Sequence, residues 1–151
     1  MLPFLFIVTL FLSNPQLQFF DAFGSDELSK IEETLMSLEA QEQSADVQAY
    51  TAGLLMKKAS FMKTPFQKLS MFRDGKKRLE TIITNYPSKA EYRIIRLVLQ
   101  ENAPEILKYN TNIEEDLRLI KETFTRHSKV VQQFLLDYAK ESNVLSSSDL
   151  R

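Results

Sequence analysis

Apolar residues recur every three or four positions along most of the chain from Leu28 onward, a spacing that predicts amphipathic helices. The first predicted helix runs from about Asp26 to Gln43, with Leu28, Ile31, Leu35 and Leu38 on one face. Ser44 is placed to cap the second, about Ala45 to Met62. Its stripe is Val47, Tyr50, Leu54 and Phe61, and the small residues Ala45, Ala49, Ala52 and Gly53 would let another helix come close. The third spans Pro65 to about Tyr86 and carries Phe66, Leu69, Phe72, Leu79, Ile83 and Tyr86. Gly75 falls on that same face. A mid-helix glycine costs about 0.5–1 kcal/mol against alanine, so its presence there implies a second backbone passing close by.

The fourth predicted helix lies between Pro87 and Pro104 and has a different pattern. In "EYRIIRLVLQENAP", Glu91 to Pro104, the residues Tyr92, Ile94, Ile95, Leu97, Val98 and Leu99 cover more than half the helix circumference. This helix is expected at the centre of a bundle, with Arg93, Arg96 and Gln100 sharing its one polar sector and Glu101 at a fraying end. Pro104 stops it, because proline cannot donate a backbone hydrogen bond and restricts the residue before it. A short turn, Glu105 to Tyr109, leads to a fifth helix, Ile113 to about Arg126, and a sixth, Lys129 to about Glu141. Capping boxes are expected at Thr64 with Gln67, at Ser88 with Glu91 and at Asn112 with Glu115. The closing "SNVLSSSDLR" has little apolar surface and reads as a disordered tail, residues 142–151.

Composition narrows the class. With 151 residues, 44% of them hydrophobic, one core is affordable, and three glycines with five prolines are too few turn-formers for a many-stranded sheet. The expected fold is all-α, an irregular bundle of about five to six helices. There is no cysteine, which excludes disulfides, thiolate nucleophiles and cysteine-ligated zinc. An apolar run from Phe4 to Leu12 has the length of a signal-peptide core and is short of the roughly 20 residues of a membrane span. Ala22 and Gly24 set small residues two apart, as cleavage after Gly24 requires. The residues before the run hold no Lys or Arg, which is atypical of such signals. The expected organisation is a signal peptide at 1–24, a helical domain at 25–141 and the tail; the alternative is a membrane-tethered or buried N-terminal helix, since Leu17, Phe19 and Phe20 could extend the apolar stretch. Such a protein is exported, to the periplasm or the medium, with no stable transmembrane span once the signal is removed.

Without residues 1–24 the acids fall from 20 to 19, matching the 19 lysines and arginines. A neutral chain is not a general nucleic-acid binder, yet its charge is segregated. Ser25 to Asp46 holds seven acids and only Lys30, whereas Lys57 to Arg78 holds eight bases and only Asp74. The bland account is an acidic helix beside basic ones. The functional account is an anion-attracting surface on the second and third helices, Lys76 and Lys77 included.

Two resemblances rest on particular residues. Gly75, Leu79, Ile82 and Pro87 have the spacing of the second helix of a tetratricopeptide unit, which uses two helices over about 34 residues. Thr64 and Pro65 would interrupt its partner helix, so the resemblance is to a degenerate helical hairpin and not to a regular array. Across Ala49 to Asp116, the fingerprint Tyr92-Arg93, Arg96-Leu97, Gln100, Asn102-Ala103-Pro104, Tyr109 and Asn112-Ile113 resembles a group of small exported helical proteins of Bacteroidota. That resemblance implies a helical fold and export, and it transfers no catalytic residue.

The inventory for catalysis is poor. His127, the only histidine, lies at a predicted helix end, where a positive imidazole would suit the carbonyl end of the dipole. There is no Gly-x-Ser-x-Gly and no glycine-rich phosphate loop. "NTNIEED" alternates like calcium-loop ligands, but Glu115 and Lys121 stand where glycine and a bidentate glutamate are needed. Acid pairs suited to glycoside hydrolysis cannot be selected among the many carboxylates, and no tryptophan offers a sugar platform. No cofactor or metal is expected. Arg93 and Arg96 are left, one turn apart: either they pair with Glu114, Glu115 or Asp116, or they line a cleft that grips an anion. The leading expectation is a non-enzymatic module that binds another protein or an anionic envelope component. The alternative is a small-ligand protein or enzyme using Arg93, Arg96 and Gln100.

Overall fold

A computed structural model describes residues 14–151, and within them all regular structure is helical. In chain order the helices are α1 (Pro15–Phe23), α2 (Leu28–Glu39), α3 (Ala45–Ala59), α4 (Pro65–Asn85), α5 (Ala90–Asn102), α6 (Ile113–Thr123) and α7 (Lys129–Tyr138). Single 3-10 turns occupy Glu105–Leu107, Phe124–Arg126 and Ser147–Asp149. The expected all-α bundle is what the chain forms. No described helix is long and apolar enough to cross a membrane.

α3 and α5 form the interior. α3 touches α1, α2, α4 and α5, and α5 also packs on α4 and α6. Ten of the thirteen residues of α5 are buried, as its broad apolar arc requires. Two glycines set the closest approaches. A Cβ on Gly75 would lie 2.5 Å from Cγ of Met56 and 2.8 Å from the Ala52 carbonyl oxygen, so α4 rests directly on the backbone of α3. A Cβ on Gly53 would meet Ile95 at 2.7 Å and the Phe19 ring at 3.4 Å, which lets α5 and α1 both seat on α3.

The helix α1 was expected to be lost with a signal peptide, yet it belongs to the core. Asn14 caps it by accepting from the Gln16 N–H at 3.0 Å, and Pro15 occupies its first turn. Phe19, Phe20, Ala22 and Phe23 are buried; Phe19 stacks on Tyr50 at 4.6 Å, and Phe20 meets Phe134 of α7 at 4.9 Å. The boundary expected after Gly24 therefore falls inside the packed unit. Phe19, Phe20 and Phe23 form one helical face but sit next to an apolar run, so in the sequence they read as its extension. The run Phe4 to Leu12, which carries the signal-peptide expectation, lies outside the described residues.

The expected disordered tail is also corrected. Glu101 does not fray; its carboxylate accepts from the Tyr138 hydroxyl, from Oγ of Ser142 at 2.8 Å and from the Asn143 N–H at 2.6 Å. Leu145 and Leu150 are buried, and Asp149 pairs with Lys121 at 3.0 Å. The tail orders because its polar backbone finds an anchor about forty positions earlier, which local composition does not reveal. Phe66 and Tyr86, expected on the core face of α4, are 80% and 50% exposed. The inward face is Phe72, Gly75, Leu79, Ile82 and Ile83. Phe66 precedes Phe72 by six positions, about 240° of helix rotation, and so points away.

Candidate functional site

The polar sector of α5 meets the first turn of α6. Asp116, fully buried, accepts from Arg96 through two parallel bonds, Nε to Oδ2 at 2.7 Å and Nη2 to Oδ1 at 2.7 Å. Arg93 reaches the same carboxylate at 3.0 Å, Glu115 at 2.9 Å and the Pro87 carbonyl at 3.2 Å. The remaining Arg96 nitrogen donates to Glu80 of α4 at 3.0 Å, and the Tyr109 hydroxyl donates to the other Glu80 oxygen at 2.6 Å. Gln100 closes the sector, donating to Oδ1 of Asn112 and accepting from the Asn112 N–H, both at 3.0 Å. Two cations thus face three carboxylates inside the bundle, with Arg93, Arg96 and Gln100 all buried. Burial opposes the charge on Arg96, but Asp116 and then Glu80 outweigh it and hold the guanidinium above its ordinary pKa. Burial, and then Glu80, push the Tyr109 hydroxyl up, so it remains a donor.

Every terminal nitrogen of the two guanidiniums has an internal acceptor, and only Nε of Arg93 is buried without a partner. The cleft reading of Arg93, Arg96 and Gln100 finds no geometry to support it. These side chains tie α4, α5 and α6 together. Two expected capping boxes are absent for the same reason. Asn112 spends its side-chain oxygen on Gln100, and Glu115 turns to Arg93, so no side chain caps α6. α5 begins at Ala90 instead of Ser88, and Glu91 is buried, accepting from the Tyr50 hydroxyl and from Nε2 of Gln16 at 3.0 Å. Gln16 in turn accepts from Ser128 at 2.7 Å, so one polar chain links α1, α3, α5 and the start of α7. Sequence reading missed this cluster because Gln16 fell within the expected leader. The caps expected at Thr64 with Gln67 and at Ser44 are formed.

His127 is half-buried between the 3-10 turn and α7, with Nε2 3.1 Å from Oγ1 of Thr123. That hydroxyl donates to the Leu119 carbonyl at 2.7 Å, so its lone pairs accept from an Nε2–H tautomer. Burial first, then the Arg126 and Lys89 charges, lower the imidazole pKa below 6.5, opposite to the positive ring expected at this position. When the folded pKa is below the unfolded one, the unfolded chain binds the extra proton, and stability falls as pH drops below about 6.5. Glu115, held down by Arg93, adds a further loss below about 4.5. Thermal melts from pH 7.5 to 4 are expected to show a shallow decline beginning near pH 6.5 that His127→Gln removes and Glu115→Gln does not.

The exposed cations behave differently from the buried ones. Lys57 pairs with Asp26 at 3.5 Å and Lys58 with Glu32 at 2.9 Å, the contact expected between the acidic and basic helices. Arg78 pairs with Asp74 at 2.9 Å, and Lys76 lies 4.7 Å over the Tyr109 ring. Lys63, Lys68, Arg73 and Lys77 have no carboxylate within 4.0 Å among the described residues. At about 100° per residue, Phe66, Arg73, Lys77 and Thr84 fall within a sector of about 40° on the outward side of α4. A shallow recess there is lined by Arg73, Lys76, Lys77, Glu80, Thr81 and Thr84 with Asn85, all of them on α4. With no second element to wall it, it is a surface and not a small-ligand pocket. Among the described residues no three acids or histidines come together as a metal site. Compared with protein-family models, with curated proteins and with solved structures, the chain matches none.

Proposed function

We propose that the chain is an exported, non-enzymatic binding module that docks onto an anionic envelope component through the outward face of α4. The single observation that carries this reading is the division among its cations. The buried guanidiniums are neutralised by carboxylates, whereas Lys63, Lys68, Arg73 and Lys77 stand unpaired and exposed along one short stretch. Cations clustered without acids raise the local concentration of an anionic partner and weaken with salt as the charges are screened.

The double reversal Arg73→Glu with Lys77→Glu is the test. Both side chains are exposed and have no carboxylate partner, so the variant is expected to melt within about 4 °C of the parent, surface changes being worth at most about 0.5 kcal/mol each. On immobilised polyglutamate at low ionic strength the parent is expected to be retained and to elute with salt. The double reversal should run through. Equal retention of both proteins would remove the basis for this reading.

A further inference from the structure

We infer that the anionic component is the surface of a phospholipid bilayer, with Phe66 as an interfacial anchor. This rests on the docking reading above and names its partner. From Lys63 to Ser70 only Leu69 is even partly covered, and from Lys63 to Arg73 the chain holds three cations and no carboxylate. Phe66 stands in the middle of that stretch, 80% exposed. An exposed aromatic ring in line with Arg73 and Lys77, which lie within about 20° of it round α4, is the composition that settles at a headgroup boundary, where the ring enters the acyl edge and the cationic groups remain with the phosphates.

A bilayer engages both the charges and the exposed Phe66, and each lysine or arginine near an anionic surface contributes about 1 kcal/mol, close to a fivefold change in partitioning.

Sedimentation with large vesicles of phosphatidylglycerol in phosphatidylcholine, against pure phosphatidylcholine, tests this inference on the chain from Asn14 onward. It is expected to bind the anionic vesicles and not the neutral ones. Phe66→Ser should reduce vesicle binding about tenfold while leaving retention on polyglutamate unchanged, because the serine removes the anchor and no charge. Arg73→Ser and Lys77→Ser should each reduce it about fivefold. Failure to bind anionic vesicles with polyglutamate retention intact would overturn the bilayer and leave an acidic protein as the partner. Failure on both would remove the docking reading itself. Vesicle binding that Phe66→Ser does not alter would overturn the anchor.

Discussion

A chain that begins at Ser25 is expected to be unfolded at 25 °C, whereas one that begins at Asn14 should keep a cooperative thermal transition by circular dichroism. The shorter chain lacks Phe19, Phe20 and Phe23, all at 3% exposure or less. Truncating one buried phenylalanine costs about 3–5 kcal/mol, so three together approach or exceed the roughly 5–15 kcal/mol by which a domain is stable. The same cut strips Gln16 from Glu91 and leaves that buried carboxylate with the Tyr50 hydroxyl alone. Export and this packing are compatible only if the mature chain retains α1. If the proposed export holds, intact-mass measurement of the mature protein is expected to place its first residue at or before Asn14. A mature chain starting at Ser25 with a normal melt would overturn the place given to α1.

Asp116→Asn is expected to lower stability by about 3–5 kcal/mol, the usual cost of leaving buried cations without their carboxylate. For a chain of this size that is a fall in melting temperature on the order of 10 °C or more. The substitution keeps the shape of the side chain but removes the charge shared by Arg93 and Arg96. Glu115→Gln supplies the contrast. Its side chain is 52% exposed, and a pair open to solvent contributes about 0–1 kcal/mol. Equal losses for the two variants would mean that burial of the network does not set its importance.

The architecture was legible wherever the signal was local. The three- and four-residue spacing located six of the seven helices, Thr64 with Gln67 marked the start of α4, and the lone Gly75 foretold the contact with α3. What stayed hidden depends on partners distant in the chain. Glu91 resembles a capping residue until Tyr50 and Gln16 are brought to it from α3 and α1. Glu101 resembles a fraying end until the last ten residues fold back onto it. α1 was legible only as an alternative to the leader, since apolar residues next to an apolar run lose their own periodicity to the eye. The fate of Arg93 and Arg96 could be narrowed to two outcomes from the sequence, because the acid-rich start of α6 follows closely. Choosing between them required Asp116, which the helix turn places inward and Glu114 outward.

The division of labour between buried and exposed cations is the central claim, and partitioning of the native protein in its own cells tests it most directly. The parent is expected in the envelope fraction and released from it by high salt. The Arg73→Glu with Lys77→Glu protein should appear at the same abundance in the soluble exported fraction, folded and unattached. Recovery of both proteins in one fraction, or of the parent only in the cytosol, would contradict the account.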